Sequence, residues 1–327
     1  MTSAEPVSIA EPAAAPSFEG LRIAVMAPCY NEALAVANVV RNFKKSLPNA
    51  EIYVFDNAST DDTAKIARAE GAHVHSVYFK GKGHVVRRMF ADIEADLYIM
   101  VDGDDTYDAA AAPALVELLL RDRCDMVVAL RQHTEAGAYR SGHVLGNKML
   151  TGFLSWMFGR ACNDILSGYR VFSRRFVKSF PVLSAGFEIE TELTVHALEL
   201  RVPIGEMATH YGERPTGSAS KLNTYRDGIR ILFTMIRLFS AERPTLFYSI
   251  IATVLALVSI ALMIPIAITF AETGLVPRFP TAILSTGIML LAALSFFAGL
   301  ILDTVTRGRR ELKMLSYLSQ EGPRPRK

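Results

Sequence analysis

Leu97-Tyr98-Ile99-Met100-Val101-Asp102-Gly103-Asp104-Asp105 is the stretch that decides the fold. Five apolar residues end abruptly in a turn that carries three carboxylates. A short apolar run bounded by turn residues is what a strand buried on both faces requires. Outward from it, residues 21–27, 51–56, 73–77 and 125–130 read as further strands. Amphipathic stretches lie between them. Residues 33–47 put Val36, Val39, Val40, Phe43 and Leu47 on one helical face, and helices are predicted near 60–70, 85–95 and 110–121. Strands that alternate with helices predict an α/β domain with a mostly parallel sheet covered on both faces. Ligands of such sheets sit at the carboxyl ends of the strands. The most polar segments fall there: after Ala27, around Asp56 and after Val101.

The character changes near residue 245. Residues 246–270 and 279–302 carry no charge, and each run exceeds the roughly 20 residues that span a bilayer core; only residues 271–278 join them. Pro265 is a candidate kink in the first. Across the chain, 50% of residues are hydrophobic and mean hydropathy is +0.23, as a mixture of globular and membrane segments requires. Residues 303–327 hold seven Lys or Arg against three acids, and Arg226, Arg230, Arg237 and Arg243 precede the first span. The positive-inside rule then puts the large domain and the tail in the cytoplasm of an integral membrane protein. Residues 225–243 alternate Arg with apolar residues, as in a helix lying at headgroup level. The division expected is a leader at 1–19, a catalytic domain at 20–224, the interface helix at 225–243, a hairpin at 244–302 and a basic tail at 303–327. Residues 1–19 lack Lys and Arg and lack the apolar run of a secretory signal, so a disordered leader is expected. A net charge of +2 gives no case for nucleic acid. Cys29, Cys124 and Cys162 have no paired spacing and read as reduced thiols.

Asp102 and Asp104 stand one residue apart on a turn leaving a buried strand, so both can reach one hard divalent cation. Pro28-Cys29-Tyr30-Asn31-Glu32 ends the first strand, and Asp56-Asn57-Ala58-Ser59-Thr60-Asp61-Asp62-Thr63 ends the second. Ser59, Thr60 and Asp61 suit helix capping as well as ligand contact. Asp56, at a strand tip, can accept hydrogen bonds from a nucleobase or ribose. Gly81-Lys82-Gly83 sets one cation in a flexible backbone suited to phosphate. No Walker loop and no GxGxxG turn occurs, which disfavours kinases and dehydrogenases.

These motifs in this order, with Asp164-Ile165-Leu166-Ser167-Gly168-Tyr169-Arg170-Val171-Phe172 after them, resemble family 2 glycosyltransferases of the GT-A fold. With two terminal spans, the chain resembles the dolichyl- and polyprenyl-phosphate sugar transferases of that family. The resemblance covers about residues 21–240. It implies a GT-A domain followed by an amphipathic interface helix and a two-helix transmembrane hairpin. It also implies inverting transfer from a nucleotide-sugar, UDP preferred over GDP, to an undecaprenyl- or dolichyl-type phosphate in the bilayer. By motif, Pro28, Tyr30, Glu32 and Asp56 line the nucleoside pocket and Lys82 lies near the phosphates. Asp102 and Asp104 face the diphosphate and its Mg2+ or Mn2+. Where the family often has Gln, this chain has Thr106, which leaves a third metal ligand open between Asp105 and water. Arg131, Arg140, Ser167, Arg170, Arg214 and Lys221 are candidates for the acceptor phosphate, with solvated surface charge the alternative for each cation. Asp164 is a candidate base or acceptor-positioning group. Glu188, Glu190 and Glu192 either read the substrate or are simply the acids favoured in a helix's first turn.

A homo-oligomer formed through the hairpin is compatible with the resemblance. Two other functions compete. A polysaccharide synthase with a non-phosphate acceptor would usually carry Q-x-x-R-W and more spans; the sole tryptophan, Trp156, lies in L-S-W-M-F-G. A non-catalytic nucleotide-sugar-binding scaffold would not need Asp102 and Asp104.

Overall fold

A computed structural model describes residues 18–133, 141–159, 163–186, 188–213 and 224–322. The expected alternation is present in β1 (Ile23–Cys29), α1 (Val36–Ser46), β2 (Glu51–Asp56), α2 (Thr63–Ala69), β3 (His73–Ser76), α3 (Lys82–Asp92) and β4 (Leu97–Met100). A 3-10 turn at Ala109–Ala111 leads into α4 (Ala112–Arg121) and β5 (Met126–His133). Then follow α5 (Ser141–Phe158), β6 (Arg170–Ser173), α6 (Arg174–Ser179), α7 (Ile189–Glu199) and β7 (Ile204–Tyr211). Three long helices complete the described chain: α8 (Thr224–Glu242), α9 (Pro244–Thr273) and α10 (Phe279–Leu318).

The strands form one sheet in the order β3-β2-β1-β4-β6-β5-β7. The pairs among β1 to β4 are parallel, as is β5 with β7, whereas β6 runs against both of its neighbours. All four residues of β4 are buried, which is why its sequence is wholly apolar. The pleat alternates its side chains between two cores. Met26, Phe55, Tyr98, Met100 and Phe172 face one, while Val25, Val54, Ile99 and Val171 face the other. Register sets Cys29 opposite Asp56 and Asp56 opposite Ser76, so β1, β2 and β3 end at one level. The polar turns after β1, β2 and β4 therefore share one edge.

α9 and α10 are each long and apolar enough to cross a membrane, with mean hydropathies of 2.7 and 2.2. α9 continues through Pro265. The buried residues recur every seventh position: Ala252, Ser259 and Ile266 on α9, and Ser285, Ala292, Gly299 and Thr306 on α10. That spacing makes one seam per two helical turns, and small residues let the backbones approach closely. Ser259 Oγ donates to the Ser285 carbonyl across it at 2.7 Å.

The segment expected as a basic tail at 303–327 is helical as far as Leu318. α10 does not stop where its apolar run stops; it continues to Leu318 and packs on α6, with Tyr317 buried. Loss of apolar residues marks the limit of the bilayer, whereas helix continuation depends on propensity and on tertiary partners. The leader up to residue 17 and residues 323–327 lie outside the described residues.

Candidate active site

Asp102 leaves β4 at the shared edge, and its Oδ1 accepts a hydrogen bond from Lys82 Nζ at 2.5 Å. Lys82 also forms an ion pair with Glu190 at the start of α7. Burial lowers the Lys82 pKa, but the adjacent Asp102 and Glu190 carboxylates outweigh it and hold the ammonium well above its ordinary value. The loop before it is stapled by Asn57, whose amide donates to the Val77 and Phe79 carbonyls at 3.2 and 2.7 Å and accepts from Gly81 N–H at 2.7 Å. Gly81 has φ 130°, open to glycine and strained for other residues. A Cβ at Gly83 would run into the backbone of Ser184 and Ala185. That backbone is held by Glu192, which accepts from Leu183 and Ser184 N–H at 2.8 and 2.7 Å. Gly-Lys-Gly thus lets two loops close on either side of one lysine.

Asp104 is buried and accepts from the Thr106 hydroxyl at 2.6 Å. Thr106 is committed to that contact, while Asp105 accepts from Asn38 of α1 at 3.1 Å. Burial drives the Cys29 thiol pKa up, and the charges of Glu32, Asp56, Asp102 and Asp104 add to the shift. Gly103 abuts Cys29 Sγ and Gly168 abuts the Asp102 carboxylate; a Cβ at either position would collide. Asp102 and Asp104 are hard oxygen donors of the kind a divalent cation takes. Among the described residues, no group of three or more His, Cys, Asp or Glu is arranged to hold a metal.

Asp56 is 7% exposed, and its Oδ1 has no hydrogen-bond partner among the described residues. A buried acceptor left unmade costs about 1–3 kcal/mol, so that atom is poised for a ligand's donor. Tyr30 follows the neighbouring strand end, with Lys80 Nζ 3.3 Å from its hydroxyl and 4.9 Å from its ring centroid. Pro28 is half-buried beside Gly103, and Glu32 is buried with its N–H donating to Thr63 Oγ1 at 2.9 Å. Ser59, Thr60 and Asp61 serve the loops: Ser59 and Thr60 bond to Asn31, and Asp61 bonds to Ala33 and Thr63. They tie the turn after β1 to the turn after β2.

On the other side of Asp102, Arg131 grips Asp164 with two hydrogen bonds of 2.7 Å. The guanidinium lies 5.6 Å from the Tyr211 ring centroid. Burial raises the Asp164 pKa, yet its hydrogen bonds and charge pairing with Arg131 prevail and hold it below the usual carboxylate range. Asp164 is therefore held as a carboxylate and is a weak base.

Two expected phosphate contacts are placed elsewhere. Arg170 is completely buried, bonded to the Ser167 and Ile165 carbonyls at 2.9 and 2.5 Å and to Thr194 Oγ1 at 2.9 Å. Ser167 is also buried and donates to the Ala129 carbonyl at 2.7 Å. Both are buried in, and bonded to, the turn that carries Asp164 and Gly168. Arg140, Arg214, Lys221 and Cys162 lie outside the described residues; Cys29 and Cys124 are buried free thiols. Asn57, which the sequence marks only as part of the turn after the second strand, and Glu190, expected either to read the substrate or to be an acid of a helix's first turn, are structural partners of the site. Their signals were faint: an amide inside a cap-like run, and one acid among three, offset from the face shared by Glu188 and Glu192.

An uncharacterized protein of Shigella flexneri is 59% identical over 157 residues, 48% of this chain and 96% of that relative. Glycosyltransferase AglJ of Haloferax volcanii is 28% identical over 290 residues, covering 88% of this chain and 95% of AglJ. The dolichyl-phosphate hexose transferase of the same organism is 24% identical over 221 residues, covering 68% and 95%. Among solved structures, Mycobacterium tuberculosis glucosyl-3-phosphoglycerate synthase in complex with Mn2+, UDP and glucosyl-3-phosphoglycerate superposes with a TM-score of 0.54 at 24% identity. That superposition covers 66% of this chain and 80% of the synthase. Residues 24–179 match the profile of glycosyl transferase family 2. The chain is a member of glycosyl transferase family 2 with a GT-A-like fold.

Proposed function

We propose that this chain transfers a sugar from a nucleotide-sugar, UDP-linked by preference, to the phosphate of a polyprenyl phosphate in the membrane, with inversion. Asp56 is the observation that carries the donor half: a buried carboxylate oxygen without a hydrogen-bond partner among the described residues, on β2 with only β1 between it and the strand that leads to Asp102. The two apolar helices and the dolichyl-phosphate relative support the lipid half.

In this scheme Asp56 accepts a hydrogen bond from the base or ribose, within a pocket walled by Pro28, Tyr30 and Glu32. Asp102 and Asp104 would hold Mg2+ or Mn2+. A divalent cation bound there neutralises the charge that grows on the departing nucleoside diphosphate. Lys82 meets the same charge from within the protein. On the acceptor side, Asp164 orients Arg131 toward the incoming phosphate. A phosphate monoester has a second pKa of about 6 and is already ionised, so no base is required. One phosphate oxygen bonds to the anomeric carbon as the bond to the diphosphate breaks, and no proton moves. α9 and α10 cross the bilayer, with the catalytic domain on the cytoplasmic side.

The test incubates membranes with a panel of radiolabelled nucleotide-sugars, polyprenyl phosphate and Mg2+ or Mn2+. Label extracted into organic solvent identifies the donor. Label found only in insoluble polymer would favour a synthase, and no transfer from any donor would leave a binding scaffold.

A further inference from the structure

Residues 303–318 extend α10 beyond its apolar run by about 24 Å at 1.5 Å per residue, and one face of this extension is locked to the catalytic domain. Nearest the bilayer, Arg309 and Arg310 reach the buried Glu242 at the α8–α9 junction, each at 3.1 Å. One turn on, Lys313 lies 2.6 Å and Arg310 3.4 Å from Glu199, a fully buried carboxylate at the end of α7. Another turn on, Tyr317 Oη donates to Asp125 Oδ2 at 2.7 Å. Asp125 is itself fully buried, and Arg175 holds it at 2.5 and 2.7 Å. Burying carboxylates is costly unless each is paired, and segments from opposite ends of the fold supply the pairing here.

The placement of the locks gives them a function. Asp125 immediately precedes β5, at the amino edge of that strand, while Arg131 and the candidate site lie toward its carboxyl end. Glu242 marks the level at which α9 begins. A rigid helix fixed at both points dictates which way the carboxyl edge of the sheet faces. We infer that residues 303–318 are a strut that holds the catalytic domain in one orientation over the bilayer, with Tyr317–Asp125 as its far lock. The residues concerned are positioning residues, remote from the chemistry. This inference rests on the reading that the acceptor is a membrane-held lipid phosphate.

Gly308→Pro tests it, because a side chain at 308 meets nothing while proline breaks the helix between the span and the locks. Two acceptors are compared: long-chain polyprenyl phosphate in vesicles, and a water-soluble short-chain isoprenyl phosphate. Orientation is read separately by energy transfer from a dye at Arg121→Cys, in a chain carrying Cys162→Ser, to headgroup-labelled lipid. Transfer in vesicles is expected to fall about tenfold or more while short-chain transfer stays within about twofold, since misplacement costs rate without altering the site. Energy transfer shifts with it, and Tyr317→Phe moves both readouts in the same direction by about twofold. Equal loss on both acceptors, or unchanged energy transfer in Gly308→Pro, overturns the strut. Should the unmodified chain glycosylate neither acceptor, the lipid-phosphate reading fails on its own, and energy transfer alone decides the strut.

Discussion

Lys82 lies between Asp102 and Glu190, and that pairing gives a common residue a particular use. Its charge is fixed by neighbours that do not leave, so it can face a diphosphate without first acquiring a proton. Asp104 is the residue to remove, because it accepts from the Thr106 hydroxyl, whereas Asp102 is tied to the lysine. Asp104→Ala is expected to lower transfer about 100-fold or more, the scale of losing one electrostatic anchor of a transition state, with an unchanged circular dichroism spectrum. A rate within a few-fold of the parent would remove the metal from the scheme. Arg170 makes the opposite case. Its residue type suggested phosphate, but zero exposure and bonds to two carbonyls and a threonine make it a staple. Arg170→Met should cost about 3 kcal/mol of stability, as for breaking a buried charged network, and leave acceptor KM unchanged in the protein that folds. Motif order revealed where these residues cluster along the chain. It could not reveal their burial, because buried and exposed arginines look alike in one sequence.

At the scale of elements, β1 to β5 and the helices between them were legible because the strands are short runs bounded by polar turns and the helices each bury one periodic face. The strands and helices after α5 were harder. β6 is four residues long and antiparallel, and nothing local in Arg-Val-Phe-Ser announces its direction. α7 is buried nearly all round and so lacks an amphipathic signature. Within it, His196 packs edge-on against Phe176 and Phe180 at 5.3 and 5.1 Å. Burial, with a further contribution from Lys313, pushes its pKa down to about 3. The folded state therefore keeps His196 neutral while the unfolded chain protonates it below about 6.5. Its contribution to stability is complete above that value and is lost as pH falls toward 3, by up to about 1.4 kcal/mol per pH unit. Thermal unfolding in detergent should show this loss between pH 6.5 and 5. His196→Leu should flatten the slope, and an equally steep slope in the variant would assign the acid sensitivity to other groups.

For the whole molecule, composition was enough to locate two apolar runs, but not where α10 ends or how the hairpin packs. A run of apolar residues reports its solvent and carries no record of which side faces another helix. The seven-residue repeat of Ser285, Ala292, Gly299 and Thr306 is hidden among equally apolar neighbours until burial singles it out. Gly299 is its tightest point, where a Cβ would stand 2.9 Å from Tyr248 Cβ and 3.4 Å from the Pro244 carbonyl. Gly299→Leu raises hydropathy, so membrane insertion should be unimpaired. The added volume has nowhere to go except between α9 and α10, and overpacking of this kind costs about 1–3 kcal/mol. Gly287, with open space beside it, supplies the control: Gly287→Leu adds the same side chain without a clash. The expected result is a lower midpoint of thermal unfolding in detergent for Gly299→Leu alone, with both variants recovered from membranes in equal yield. Equal midpoints would mean that the hairpin is held by the locks on α10 and α8 and not by its own seam.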